Sequence, residues 1–245
     1  MQGYGPTSYG DGFADVYDEW YPGSDDVAAV VAFVAELVPS RAGRVLELGV
    51  GTGRLAVPLA AAGMGVHGVD TSSAMLDRLR ARDPARRVTV TIGDMVDDQP
   101  DGPFDVVLVA YNTLFNLESA ERQAACFAAA AERLAPAGAL VVETFVPDDP
   151  PREGSTVDVR SMTAAEIVLS VSTHDPVSQR AEGHFVHLAD GAAVRLRPWS
   201  IRYAPPTELD AMATAAGLSL RERWEDFHRR PFTAESPRHV SVYGG

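Results

Sequence analysis

Three carboxylates and three alternating glycines stand at the turns where chemistry can be placed. In Val45-Leu46-Glu47-Leu48-Gly49-Val50-Gly51-Thr52-Gly53-Arg54 an apolar run ends in the glycines, with Glu47 two residues before the first of them. Such a run reads as a strand turning tightly into a helix around a ligand. Glycine is needed where backbone approaches a ligand closely or turns through positive φ, and the helix that follows aims free N–H groups at an anionic group. Two further runs end in acids: Val66-His67-Gly68-Val69-Asp70, and Val88-Thr89-Val90-Thr91-Ile92 followed by Gly93-Asp94-Met95. Together they point to an adenosine cofactor. Taken singly, Asp70 and Asp94 are also what turns and helix N-caps select, and Gly51-Thr52-Gly53-Arg54-Leu55-Ala56 also fits a loose dinucleotide fingerprint.

In this order the residues resemble the class I methyltransferases that use S-adenosylmethionine (SAM), and the resemblance covers most of the chain. It implies that Glu47, Gly49, Gly51 and Gly53 bound the methionyl part of SAM, and that Arg54 pairs with its carboxylate. Asp70 would take the ribose hydroxyls. Met75 would pack on adenine, with Asp94 and Met95 at the purine edge and face. Ala110 and Tyr111, which end Phe104-Asp105-Val106-Val107-Leu108-Val109, would line the floor beside the sulfonium.

Composition narrows the partners. A chain of 245 residues with 46% hydrophobic content can bury a full core in one large domain or a domain with an insertion. A formal charge of −13 argues against a nucleic-acid substrate and favours neutral or cationic small molecules; Arg86-Arg87 and Arg229-Arg230 read as short solvated clusters. No apolar run approaches bilayer-spanning length and no leader pattern opens the sequence, so a cytoplasmic protein is expected. Cys126 reads as a buried thiol among alanines, and the six histidines show no metal-ligand spacing, so no metal is expected.

The elements that must position these residues follow from periodicity. Residues 1–24 carry Tyr4, Tyr9, Phe13, Tyr17, Trp20 and Tyr21 and read as an aromatic lid. Ser24 is expected to cap a helix with Val27, Val30, Val31, Val34 and Leu37 on one face, stopped at Pro39. Over 25–146 strand alternates with helix, the helices falling near Leu55–Ala62, Ser73–Ala81 and Ala120–Leu134. This predicts an α/β fold, a Rossmann-like parallel sheet with helices on both faces and ligands outside the carboxyl ends of its strands.

After the Pro147-Asp148-Asp149-Pro150-Pro151 hinge, 147–204 reads as an antiparallel β insertion. Three or four strands are expected from the stretches Thr156–Val159, Glu166–Thr173, Ala181–Leu188 and Ala193–Tyr203, with Asp190-Gly191 as a hairpin turn. The insertion would cover the acceptor, form a homo-oligomer contact, or both. Residues 205–245 complete the core with a helix started by Pro205-Pro206-Thr207, where Thr207 and Asp210 form a capping-box-like pair, and strands Leu218–Trp224 and His239–Tyr243.

An insertion after the fifth strand together with Tyr17-Asp18-Glu19-Trp20-Tyr21 is similar to methyltransferases that modify amines in actinobacterial antibiotic pathways, the amino-sugar and lincosamide enzymes among them. The resemblance implies methyl transfer from SAM to a nitrogen of a small secondary metabolite, leaving S-adenosylhomocysteine. The sequence departs from some of them at Tyr111-Asn112-Thr113-Leu114-Phe115-Asn116, where a histidine near Asn116 is absent. Tyr9, Tyr17, Phe115 and Asn116 are the candidate catalytic residues, with Tyr21 toward the cofactor, Asn112 on the acceptor side and Trp199 as its roof. O-methylation with an enzyme base, nicotinamide oxidoreduction at the same loop, and a catalytically silent SAM-binding module in a complex are the alternatives.

Overall fold

The computed structural model describes residues 1–21, 27–40 and 42–245; the expected Ser24 cap lies outside them. Seven strands form the main sheet: β1 (Arg44–Leu48), β2 (Gly65–Asp70), β3 (Thr89–Ile92), β4 (Phe104–Val109), β5 (Leu134–Phe145), β10 (Ser219–Trp224) and β11 (Arg238–Gly244), in the order β10-β11-β5-β4-β1-β2-β3. β1 through β5 run parallel, while β11 pairs antiparallel with both β5 and β10.

Strand periodicity sorts the apolar residues to two faces. Val45, Val106 and Leu108 pack with Val30, Phe33 and Val34 of α3 (Val27–Leu37) and with α4 (Ala56–Ala61). Leu46, Leu48, Val107 and Val109 pack with Phe127 and Ala130 of α6 (Ala120–Arg133) and Leu209 of α7 (Pro206–Ala215). Glu47 falls on the Val45 face, so the same alternation that makes the core buries a carboxylate beside the strand end.

Between β5 and α7 lies a second, four-stranded antiparallel sheet of β6 (Gly154–Met162), β7 (Glu166–Asp175), β8 (Arg180–Ala189) and β9 (Arg195–Arg202), in chain order. Its β8–β9 turn places Gly191 at φ 68°. The sheet is tied to the core by Arg202, whose guanidinium donates to Gln123 Oε1 (2.7 Å) and Glu208 Oε1 (2.5 Å). Val157, Val159, Met162 and Leu196 are more than half exposed on it.

Two local expectations are corrected. Pro205 is the N-cap of α7 and no side chain caps it; Asp210 instead accepts from Arg223 (2.6 Å) and from the Tyr243 hydroxyl (2.9 Å). Arg229 and Arg230 are not simply solvated, since they pair with Glu36 and Asp226. Cys126 is buried as expected, and burial pushes its thiol up to about 12. Among the described residues no helix is long and apolar enough to cross a membrane.

Candidate active site

The glycine turn after β1 has three different reasons for its three glycines. All have positive φ: 69° at Gly49, 54° at Gly51 and 75° at Gly53. A Cβ on Gly49 would lie 2.3 Å from Thr113 Cγ2, and one on Gly53 would lie 2.7 Å from Leu79 Cγ, so these two are demanded by the protein's own packing. Only at Gly51 would a Cβ meet nothing nearer than 4.0 Å, and Gly51 lines a cavity of about 320 Å³ at the strand ends. That volume suits a small-molecule ligand.

Asp70, at the end of β2, is held by backbone. Its Oδ2 accepts from Gly51 N–H (2.8 Å) and its Oδ1 from Ser72 N–H (2.9 Å), which fixes the carboxylate at the cavity wall with lone pairs to spare. Burial raises its pKa, the two N–H donors oppose that, and nearby Asp11 adds to the rise. Ser72 caps α5 (Ser73–Arg82) by accepting from Met75 N–H, and its hydroxyl donates to Asp11 Oδ1 (2.7 Å). Asp94 is similarly fixed after β3: Oδ1 accepts from Val96 N–H (2.7 Å) and from Arg122 Nη2 (2.6 Å). Both acids therefore serve as turn residues and as cavity walls.

Glu47 is only 5% exposed, and its Oε2 has no hydrogen-bond partner. Burial pushes this carboxyl up to about 8, with Asp70 adding to the rise and the Arg54 guanidinium and an Ala56 N–H opposing it. A buried, unsatisfied carboxylate oxygen costs free energy that a cationic ligand group would recover. Arg54 precedes α4 and lies over the Tyr111 ring, 5.1 Å from its centroid. Tyr111 and Asn112 follow β4 with φ of 54° and 62°, a left-handed pair that is unusual for a tyrosine. The pair is fixed from β5: Tyr111 N–H donates to Glu143 Oε2 (2.9 Å), and Asn112 Oδ1 accepts from Phe145 N–H (2.6 Å).

The N-terminal segment closes over this cavity as α1 (Ser8–Phe13) and α2 (Tyr17–Trp20). Gly10 is what lets α1 seat against α5, since a Cβ there would sit 2.4 Å from Ser72 Cβ. Tyr9 stacks on Phe13 at 4.5 Å, Tyr17 tilts on Tyr21 at 4.9 Å, and Tyr21 meets Tyr111 edge-on at 5.5 Å. Burial, and after it the neighbouring phenols of Tyr21 and Tyr17, hold the Tyr9 pKa well above the usual range, so Tyr9 stays a neutral phenol.

The cap is held from outside. Thr52 Oγ1 donates to Asp18 Oδ1 (2.7 Å), and Arg82 pairs with Asp18 (2.7 Å). From the second sheet, Arg195 and the buried Arg197 both pair with Asp15 (2.6 Å each), and Arg197 also donates to Gly12 O. Arg160 lies over the rings of Trp20, Tyr21 and Phe185 at 5.3, 4.8 and 4.8 Å.

Nine of the residues singled out in the sequence line the cavity together: Tyr9, Tyr17, Gly49, Gly51, Asp70, Met75, Asp94, Met95 and Asn116. Glu47, Gly53, Arg54, Ala110, Tyr111 and Tyr21 surround it without lining it. Phe115 is a correction: it is fully buried against Phe145, with ring centroids 5.0 Å apart, so its ring is a core anchor and does not reach the cavity. Asn112 likewise spends its side chain on β5. Sequence reasoning missed Gly10, Asp11, Thr113, Glu118 and Arg122, which carry no motif. Among the described residues no group of His, Cys, Asp or Glu is arranged to hold a metal.

Comparison with known proteins decides what this geometry serves. Residues 45–138 match the family model described as a methyltransferase domain. Over 236 residues, 94% of this chain and 95% of the relative, the sequence is 31% identical to a cypemycin N-terminal methyltransferase from a Streptomyces species. The chain belongs to the class I SAM-dependent methyltransferases. It is also 32% identical over 215 residues to the dTDP-3-amino-3,4,6-trideoxy-alpha-D-glucopyranose N,N-dimethyltransferase of Streptomyces venezuelae, covering 84% of this chain and 90% of that one. The structure of the CcbJ methyltransferase from Streptomyces caelestis superposes with a TM-score of 0.92 at 42% identity, over 99% of both chains. The orphaned Glu47 oxygen, the open approach to Gly51 and the preset Asp70 carboxylate fit a cofactor that carries an ammonium group and a ribose.

Proposed function

We infer that this methyltransferase moves the methyl group of SAM to an amine nitrogen of a small natural product, and that the protein contributes geometry and not a base. SAM supplies an electrophilic methyl carbon on a sulfonium. Asp70 binds the ribose hydroxyls, Met75 and Met95 sandwich the adenine, and Asp94 faces its edge. Glu47 takes the methionyl ammonium, Arg54 the methionyl carboxylate, and the backbone of Gly49, Gly51 and Gly53 follows the methionyl chain. Ala110 and Tyr111 form the floor near the sulfur. Tyr9 and Tyr17 line the transfer site, with Tyr21 behind them, and their ring faces favour a cationic sulfonium and a cationic methylated product. Asn116 borders the acceptor.

The observation that carries this reading is the chemistry of the cavity wall. Its titratable groups are tyrosines, acids and Arg122, which pairs with Asp94. The Tyr9 phenol is held neutral, Asp70 accepts from backbone and Asp94 from backbone and Arg122, and Glu118 pairs with Arg180 at 3.1 Å through Oε2 while its buried Oε1 has no partner. A hydroxyl acceptor needs a group to take its proton as attack proceeds. An amine attacks with its own lone pair, and alignment in a water-poor site is then worth on the order of 7–11 kcal/mol. The N,N-dimethyltransferase activity named for the Streptomyces venezuelae relative supports the same choice.

The test is to incubate the protein with SAM and a panel of natural-product amines, each beside its N-acetylated and its hydroxyl counterpart, and to follow the mass gain of one methyl unit. Gain confined to the free amines is expected. Methylation of the N-acetylated or hydroxyl members at comparable rates would overturn it.

A further inference from the structure

We propose that a second cavity, lined by Trp199, holds the non-reacting body of the methyl acceptor. That body is an apolar ring or alkyl group carrying a carbonyl or ether oxygen and no phosphate. The proposal rests on the amine reading above and names the chemical class that this reading leaves open.

The cavity measures about 250 Å³ and lies between the end of β5 and the second sheet, with Phe145, Ile201, Trp199 and Tyr203 among its walls. Trp199 Nε1 and the Tyr203 hydroxyl are buried and have no hydrogen-bond partner. Two buried orphans on one cavity are costly, at about 1–3 kcal/mol each, and their cost falls if a ligand supplies the partners. An indole N–H can only donate, so the ligand atom facing it must be an acceptor. The Tyr203 phenol stays neutral, since burial and the charges of Asp175 and Asp148 raise its pKa, and it can serve either way.

Trp199 joins this cavity to the transfer site. The same indole packs into the N-terminal cluster around Phe13 and Met75, with Tyr9 and Tyr17 at its edge, and lies 6.2 Å from the Phe185 ring. On the other wall, Phe145 is bound through its N–H to Asn112, next to Thr113 of the first cavity. An acceptor with its amine under the tyrosines would thus extend its body past Trp199.

Charge excludes a phosphorylated body. Among the described residues the cation on the wall is Arg152, which pairs with Asp148 at 3.0 Å, and burial together with Arg152 lowers the His174 pKa. A diphosphate would find no uncompensated positive partner. This separates the chain from its relative named for a dTDP-linked sugar.

The test uses the full chain saturated with S-adenosylhomocysteine, ¹⁵N-labelled, with the Trp199 indole resonance assigned through Trp199→Phe. Benzamide, an aryl ring with a carbonyl acceptor, should shift that resonance saturably, and thymidine 5′-diphosphate should not. Ile201→Phe, which fills the cavity, should abolish the shift. Tyr203→Phe should weaken benzamide by about fivefold, the factor for one hydrogen bond, and it carries the test if the bulkier variant does not fold. S-adenosylhomocysteine affinity should be unchanged in both, which separates failure here from failure of the methyl-transfer reading. An unmoved indole resonance, an undiminished shift in the variants, or displacement of benzamide by thymidine 5′-diphosphate would overturn the proposal.

Discussion

At the strand ends of the cleft, polar groups are aimed by nearby backbone, whereas the aromatic cap is held by side chains far away in the sequence. Asp70 is fixed by the N–H groups of Gly51 and Ser72, and Asp94 by that of Val96. Asp15 is held by Arg197 across 182 positions, and the carbonyl of Trp20 by Arg160 across 140. Backbone-set geometry is stiff and independent of the acceptor. A cap clamped by a few ion pairs can differ between enzymes that share the same cofactor half.

The comparison can be broken at its stiff end first. Asp70→Ala removes a carboxylate that would meet two ribose hydroxyls, each charged hydrogen bond being worth about 1.5–3 kcal/mol. Calorimetry should show S-adenosylhomocysteine affinity falling by roughly 100-fold or more. Retained affinity would mean that the strand-end acids are turn residues only.

A smaller effect is expected at the clamp. Asp15→Asn weakens the hold of Arg195 and Arg197 on α1, so kcat/KM toward the amine should fall about tenfold while S-adenosylhomocysteine affinity changes less than about threefold. Equal losses in both would show that the cap belongs to the cofactor site.

Glu47 sharpens the contrast through pH. Its carboxyl has a pKa near 8 in the fold against an ordinary 4.5, so ionising it costs stability, and that cost builds as pH rises from 4.5 to 8. Glu47→Gln should therefore raise the melting temperature of the ligand-free protein at pH 8 by roughly 5 °C. A ligand ammonium favours the ionised carboxylate, so binding releases a proton. Wild-type affinity for S-adenosylhomocysteine should then decline from pH 8 to pH 6, and the Gln variant should bind about tenfold more weakly at pH 8 with a flatter profile.

The same contrast governs what could be read from sequence. The acids at the ends of β2 and β3 and the glycine turn announce themselves, because a strand, a turn and a helix start are written in adjacent residues. The second sheet was legible from β-branched stretches as three or four strands, and all four form, although β6 runs to Gly154–Met162 where the pattern marks only Thr156–Val159. Contacts between distant segments leave no local period. Nothing near Phe115 tells that its ring stacks on Phe145, nothing near Asp210 that Arg223 claims it, and Arg122 in the first turn of a helix gives no sign that it reaches Asp94. Gly53 was legible as a glycine position, but its reason, Leu79, lies on another helix.

The central claim is that the protein aligns an amine without deprotonating it. The direct measurement is the pH dependence of kcat/KM for two or more amine acceptors of different basicity. The rising limb should follow each acceptor's own pKa, moving from one amine to the next. A limb fixed at one pH for every acceptor would assign the proton to an enzyme group and contradict this account.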